Sequence, residues 1–180
     1  VEALYASDST PMTDLMAEEG IRALAQALPV LRHLPRDEAA RSDALYGAWL
    51  CGAVLGQVGM ALHHKLCHVL GGSFNLPHAE VHTVVLPQAT AFNASAAPQA
   101  MARVARALGV GHAAQGLFDL ARDNGAPVSL RSLGMAAADL DRAADLAAAQ
   151  PYWNPRPVGP DQRDALRELL QRAWDGTRPD

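Results

Sequence analysis

The sequence predicts an all-α fold, a bundle of about eight helices, and three observations support this prediction. Alanine, the residue with the highest helix propensity, makes up about a fifth of the 180 residues. Apolar side chains recur at helical spacing between clusters of glycine and proline. The segment 81–93 begins with β-branched residues, but it lacks strand-like alternation and continues into alanine-rich sequence, which favours a buried helix.

The first helix is predicted to run from about Pro11 to about Leu31. Thr10 is suited to cap its amino end, and proline is favoured at the first helical position. Pro29 and Pro35 are the stop signals, because a proline inside a helix removes a hydrogen bond and kinks the chain.

A second helical stretch runs from Asp37 to Leu70 and contains glycines at positions 47, 52, 56 and 59. Glycine inside a helix costs roughly 1 kcal/mol relative to alanine, so this many glycines indicate that another helix or a ligand approaches the backbone closely. We expect a break near Gly56. The pair Gly71 and Gly72 should end the stretch, and residues 73–78 should form a loop.

The remainder of the chain predicts five more helices and one proline-rich segment. Residues 152–160 contain too many prolines to be helical. Asp161 is placed to cap the last helix. The five helices are predicted at 81–93, 98–108, 112–122, 139–149 and 161–174.

Composition and charge argue against several classes of function. The chain carries 15 Lys and Arg against 19 Asp and Glu, a formal net charge of -4, so it offers no broad basic surface for nucleic acid. Polar residues interrupt every apolar run before about 18 residues, so no membrane span is expected. Cys51 and Cys67 lie outside any CxxC pair and are expected to be reduced, buried thiols of a cytoplasmic protein.

Histidine clustering is the strongest chemical signal in the sequence. His64 and His68 are four residues apart, so both imidazoles project from one face of a helix. The loop after Gly71 and Gly72 can fold His78 back over that face, and three neutral imidazoles suit Zn²⁺ or Fe²⁺. Five of the seven histidines fall within 20 residues: His63, His64, His68, His78 and His82.

The residues alone leave a second interpretation open, in which these histidines are separately hydrogen-bonded within a polar seam of the bundle. His63 points about 100° away from His64 around the helix axis. His82 has valines as near neighbours in the sequence. Both are therefore predicted to be structural.

Two cations are candidates to bind a substrate next to the histidines. Lys65 lies between them in the sequence and can bind a carboxylate or stabilise an enolate, although a lysine is more often simply solvated. Arg156, in a proline-stiffened loop, is a second candidate carboxylate clamp or else an ordinary loop arginine. The chain has no GxGxxG, P-loop or GxSxG motif and thus no visible nucleotide site of its own.

The segment from His64 to His78 resembles the H-x3-H-x-L-G-x5-P-H signature of the iron-containing alcohol dehydrogenase family. Val84-Val85-Leu86-Pro87 and Phe92-Asn93 are similar to the continuation of that signature. Within the family, the maleylacetate reductase branch is the most similar in three segments, and the resemblance covers essentially the whole chain. The three segments are residues 47–52, 60–68 and 153–157.

The resemblance implies a two-domain enzyme with a dehydroquinate synthase-like fold, in which an N-terminal α/β domain binds NADH or NADPH. This chain is then the C-terminal helical domain, a single all-α domain over residues 1–180 whose partners are its own N-terminal domain and a second subunit of a homodimer. Residues 1–5 lack an initiator Met and a signal-like pattern, so we expect a processed chain or a fragment.

The resemblance also implies roles for the histidines. His64 and His78 match two of the family's metal ligands for Fe²⁺ or Zn²⁺, and His68 matches a histidine that lines the same site. The other two ligand positions, an acidic residue and a histidine, precede the segment that begins at Val1. In the reductase branch the acidic ligand is thought to be replaced, so this branch need not bind metal.

The implied reaction is the NAD(P)H-dependent reduction of the C=C bond of maleylacetate, a small dicarboxylate, to 3-oxoadipate in aromatic compound degradation. His64 and His78 would polarise the ketone, directly or through a metal, and His68 would transfer a proton. Lys65 or Arg156 would hold a carboxylate. The alternatives are a metal-dependent alcohol dehydrogenase of the same family, whose substrate has no carboxylate, and a non-catalytic helical metal-binding or interaction module.

Overall fold

The structure is a computed structural model that describes residues 1–149 and 152–180. These residues form eight α-helices and no strand, which confirms the predicted all-α fold. None of the helices is both long and apolar enough to cross a membrane. The helices are α1 (Pro11–His33), α2 (Glu38–Leu55), α3 (Leu62–Phe74), α4 (His78–Asn93), α5 (Pro98–Leu108), α6 (Ala113–Asp123), α7 (Leu140–Ala148) and α8 (Arg163–Asp175).

The start of α1 is capped as the sequence predicts. The backbone N–H of Thr13 donates to Oγ1 of Thr10 over 3.2 Å, and the backbone N–H of Thr10 donates to Oγ1 of Thr13 over 2.8 Å. The helix continues past Pro29 and ends at His33, slightly later than predicted. Proline removes only its own N–H from the helical ladder, so the bonds resume after it.

The break predicted near Gly56 is confirmed, because α2 ends at Leu55 and α3 begins at Leu62. The close approach predicted from the glycines is confirmed at Gly47. A Cβ atom on Gly47 would lie 3.0 Å from the carbonyl oxygen of Gly20, so α1 and α2 cross at backbone contact there. Gly52, by contrast, has no atom within 4 Å of its Cβ position.

Two predicted helix boundaries are wrong. Gly71 and Gly72 do not end α3, which continues to Phe74 and stops at Asn75 with a φ of 53°. Two glycines cost roughly 2 kcal/mol relative to alanine, and the packing of flanking apolar residues such as the fully buried Leu70 can offset that cost. His78 is consequently not in a loop but is the first residue of α4.

The last helix also begins later than predicted. Asp161 is not its N-cap but lies in the 3₁₀ turn Pro160–Gln162, and α8 starts at Arg163. Residues 152–159 are non-helical, as predicted from their prolines.

Two apolar cores hold the helices together. The first lies among α3, α4, α7 and α8 and includes the fully buried Leu66, Val85 and Leu140. The second lies among α1, α5 and the end of α2. The amino-terminal 3₁₀ turn Glu2–Tyr5 contributes Leu4 to the second core and lies against the start of α3.

Candidate active site

The clustered histidines meet where the amino-terminal half of α3 faces the first turns of α4. His82 is the central ring. Its centroid lies 4.8 Å from that of His63 and 5.0 Å from that of His64. The same ring lies 4.3 Å from His78, and His68 completes the group with a centroid 6.4 Å from that of His64. The structure thus brings the three histidines predicted as catalytic together: His82 lies between His64 and His78, and His68 lies beside His64.

Burial divides the cluster into inner and outer rings. His63 is buried, and its Nε2–H donates to the carbonyl oxygen of His82 over 2.9 Å. Burial lowers the pKa of His63 to about 4. Burial, with a smaller contribution from neighbouring histidines, lowers the pKa of His82 to about 4 as well. Both inner rings are therefore neutral at pH 7, while His68 and His78 face solvent.

Glu2 reaches the cluster from the other end of the sequence, and sequence reasoning missed it. Its buried carboxylate accepts Nδ1–H of His64 over 2.5 Å and the backbone N–H of His63 over 2.7 Å. Burial raises the pKa of Glu2, but the hydrogen bond from His64 and the proximity of both histidines outweigh it and leave the pKa below its ordinary value. The available signal was a lone acidic residue within the apolar run Val1–Ala6.

Side chains from distant segments also accept hydrogen bonds from the backbone N–H groups in the first turn of α3. The first N–H groups of a helix have no partner within it. Glu2 accepts those of His63 and His64, and Oδ1 of Asn154 accepts that of Leu62 over 3.3 Å. The histidines are therefore held at a helix end that other parts of the chain fix in place.

Asn154 is itself held by a buried amide pair. Its Nδ2–H donates to Oδ1 of Asn93 over 2.7 Å, and Nδ2–H of Asn93 donates back to Oδ1 of Asn154 over 3.0 Å. Asn93 also donates to the hydroxyl of Tyr5 over 3.3 Å. The two asparagines belong to the segments that carry the family resemblance, and the structure gives them a positional role.

Lys65 is the only lysine of the chain and projects from α3 toward Tyr152. Its Nζ lies 5.4 Å from the ring centroid of Tyr152. Within the described residues it forms no ion pair with an acidic group, and the buried hydroxyl of Tyr152 has no hydrogen-bond partner. Lys65 therefore stays a candidate to bind a carboxylate.

Arg156 lies against Phe92 rather than beside the histidine cluster. Its guanidinium carbon is 4.0 Å from the ring centroid of Phe92, and its Nη1–H donates to the carbonyl oxygen of that residue over 3.3 Å. Phe92 is roughly 15 Å further along α4 than His82. Arg156 lines a separate cleft with Glu168 and Arg172 of α8. The structure does not bring this predicted carboxylate clamp to the histidines.

A cavity of about 260 Å³ adjoins the cluster on the side of α2. Glu2, His63 and His64 form its polar wall. The remaining wall is largely apolar and includes Cys51, Gly52, Val54, Leu55, Met60 and Leu86. An apolar space with a few polar groups on one wall is typical of a small-molecule site.

Three imidazoles are close enough to share a cation. One nitrogen each from His63, His64 and His82 lies within 4.8 Å of the others. Nε2 of His63 is bonded to a carbonyl oxygen and Nδ1 of His64 to Glu2, which leaves Nε2 of His64 free. Nε2 of His82 is buried and has no partner within residues 1–149 and 152–180. His78 is not in this set, so its predicted pairing with His64 on a metal stays a prediction.

Comparison with known proteins finds relatives that match almost the whole chain. A maleylacetate reductase of Burkholderia cepacia is 62% identical over 178 residues, which are 99% of this chain and 50% of that protein. The crystal structure of a maleylacetate reductase from Agrobacterium tumefaciens matches with a TM-score of 0.94 and 57% identity, over 99% of this chain and 50% of that one. An iron-containing alcohol dehydrogenase from Corynebacterium glutamicum matches with a TM-score of 0.91 and 42% identity, over 99% and 49%.

The chain thus spans about half the length of the relatives it matches. The family model for the C-terminal region of the Fe-containing alcohol dehydrogenase family matches residues 1–174. With the histidine cluster in place at the start of α3 and α4, this match shows that the chain belongs to the Fe-containing alcohol dehydrogenase family.

Proposed function

We propose that this chain is the helical catalytic-site part of an NAD(P)H-dependent maleylacetate reductase. The observation that carries the proposal is the histidine cluster, with Lys65 next to His64 in the sequence and without an acidic partner among the described residues, in a chain 62% identical to a protein of that name. In the full-length enzyme an N-terminal domain binds the dinucleotide. The enzyme is a cytoplasmic homodimer, and residues 1–180 form one domain of it.

The chemistry of the substrate suits these side chains. Maleylacetate has two carboxylates and a ketone conjugated to a C=C bond, and the reduced nicotinamide supplies a hydride. When hydride adds to the alkene carbon remote from the ketone, the electron pair moves to the ketone oxygen as an enolate. A proton added to the other alkene carbon then gives 3-oxoadipate. The site must stabilise the enolate oxygen, supply the proton and neutralise the carboxylates.

Each requirement has a candidate residue. His64, held by Glu2 through Nδ1, presents Nε2 toward the ketone oxygen, and His78 acts on the same group. His68, exposed one turn further along α3, supplies the proton. Lys65 binds a carboxylate near Tyr152. Arg156 takes no part in this assignment, because it lies on Phe92.

The donor set also fits a divalent metal ion. Imidazole nitrogens suit Fe²⁺ and Zn²⁺, and a carboxylate behind a ligating histidine is the usual outer partner in such sites. His64 and His78 would hold the ion, together with groups outside this chain. A bound ion would act as a Lewis acid on the ketone oxygen.

The second candidate is a metal-dependent alcohol dehydrogenase, favoured by the 42% identity to the iron-containing enzyme of Corynebacterium glutamicum. Both candidates are tested in one assay of the full-length protein. NADH and NADPH oxidation is measured with maleylacetate before and after exhaustive chelation, and NAD reduction is measured with a primary alcohol.

We expect maleylacetate turnover that exceeds alcohol oxidation. If turnover survives chelation, the histidines act directly as hydrogen-bond donors and acids. If turnover is lost on chelation and restored by Fe²⁺ or Zn²⁺, they act through a bound metal ion. Alcohol oxidation abolished by the chelator, without maleylacetate turnover, would overturn the proposal in favour of the dehydrogenase.

A further inference from the structure

Glu2 is the most buried charged group next to the histidines, with only 3% of its surface exposed. Burial of an ionised carboxylate is costly unless several donors satisfy it. Three N–H groups converge on this one. They are the backbone N–H groups of His63 and His64, at 2.7 and 3.3 Å, and Nδ1–H of His64, at 2.5 Å.

The shortest of these hydrogen bonds, between Glu2 and His64, determines which nitrogen of the His64 ring carries the proton. An ionised carboxylate only accepts hydrogen bonds, so the proton between Glu2 and His64 belongs to Nδ1 of the imidazole. In the neutral ring the lone pair is then on Nε2, the other nitrogen. The two backbone bonds prevent the carboxylate from turning away, because they anchor both of its oxygens to the first turn of α3.

We propose that Glu2 is a positioning residue that holds His64 in the Nδ1–H tautomer and in one ring orientation, which leaves the lone pair on Nε2. This proposal rests on the proposed function, in which Nε2 of His64 acts on the ketone oxygen of the substrate. Glu2 itself does not touch the substrate. It acts through His64, in the way that a carboxylate hydrogen-bonded to a metal-binding histidine fixes the tautomer and orientation of that ring.

A purely structural role is the competing explanation, since Glu2 also caps α3. Asn154 separates the two roles. Its Oδ1 caps the same helix at Leu62, yet within the described residues its side chain forms no hydrogen bond to a clustered histidine. Asn154→Ser is therefore a matched control, which should lower the melting temperature of the full-length enzyme and leave the proton of His64 on Nδ1.

The direct test is ¹⁵N NMR of the full-length, chelator-treated wild-type enzyme with labelled histidine, at a pH where the ring is neutral. The His64 signals are identified by their loss in His64→Gln. We expect the proton on Nδ1 and none on Nε2. A wild-type His64 without a proton on Nδ1 overturns the proposal, whatever the activity.

The kinetic test compares Glu2→Gln and Glu2→Asp with the wild-type enzyme. Gln cannot accept all three hydrogen bonds, so we expect kcat to fall about 10- to 100-fold with little change in the KM for the dinucleotide. Asp retains a carboxylate and should recover part of the loss. A folded Glu2→Gln enzyme with wild-type kcat overturns the proposal.

The two proposals fail in different ways. If the wild-type enzyme turns over a primary alcohol and not maleylacetate, the proposed function is wrong, and the Glu2 variants are then compared on the alcohol. The NMR measurement needs no substrate at all. If Glu2→Gln does not fold, the protonation of wild-type His64 still decides the role of Glu2.

Discussion

The histidines of the cluster differ in how far they are buried. His63 is buried and His82 is partly buried, and burial lowers the pKa of each to about 4. Both rings are therefore neutral at pH 7 and add no charge to the site. Lys65, one residue after His64, is the cation of this region that can attract an anionic ligand.

Lys65 supplies a residue-scale prediction. Lys65→Ala should raise the KM for maleylacetate about 10- to 100-fold in the full-length enzyme, because a hydrogen bond to a charged group contributes about 1.5–3 kcal/mol. Lys65→Arg should restore part of the loss. Steady-state kinetics checks both.

Arg156→Gln is the matched control for the loss of a cation. Its guanidinium lies on Phe92, so the KM for maleylacetate should not change. An unchanged KM in Lys65→Ala, or a raised KM in Arg156→Gln, would contradict the placement of the carboxylate site.

Whole elements were more predictable than the contacts between them. The cap at Thr10 and the break at Gly56 were predicted correctly because both depend on residues next to each other in the sequence. The end of α3 was not, because packing of residues such as Leu70 outweighs the helix cost of Gly71 and Gly72.

The candidate site shows the same division between local and distant information. The histidine group was visible because its five members are close in the sequence. The bond between Glu2 and His64 was not, because it joins residues 62 positions apart. For the same reason, the position of Arg156 depended on a contact with Phe92, 64 residues away.

The crossing of α1 and α2 supplies an element-scale prediction. Gly47→Ala places a Cβ atom 3.0 Å from the carbonyl oxygen of Gly20 and 3.1 Å from the backbone nitrogen of Leu24, so the helices must move apart. We expect a loss of about 1–3 kcal/mol in the free energy of unfolding, measured by urea denaturation.

Gly52→Ala on the same helix is the control. Its Cβ meets no atom within 4 Å, so the gain in helix propensity should leave the protein as stable or up to about 1 kcal/mol more stable. A Gly47→Ala protein with wild-type stability would show that the crossing is looser than described.

At the scale of the whole molecule, the carboxyl-terminal residues tie separate helices together. The carbonyl oxygen of Thr177 accepts a hydrogen bond from Nε2–H of Gln88 in α4 over 2.6 Å. Arg178 donates two hydrogen bonds to Asp119 in α6, at 2.9 and 2.6 Å. The segment after α8 therefore holds α4 and α6 in position.

Asp119→Asn tests this connection. The hydrogen bonds from Arg178 keep the pKa of Asp119 below its ordinary value. Its contribution to stability is therefore present above pH 3.8 and is lost as the pH falls below that value. The variant should melt at a slightly lower temperature at pH 7, and the difference from wild type should vanish in strong acid. A difference that persists in strong acid would contradict the ionic origin.

The short turn at Asn75 joins α3 to α4 and limits how many residues can separate the histidines of the two helices. Each residue inserted into a helix turns everything beyond it by about 100°. An insertion between His78 and His82 would therefore turn one ring away from the other and remove their contact. Homologous chains should keep the number of residues from α3 through the first turn of α4 fixed.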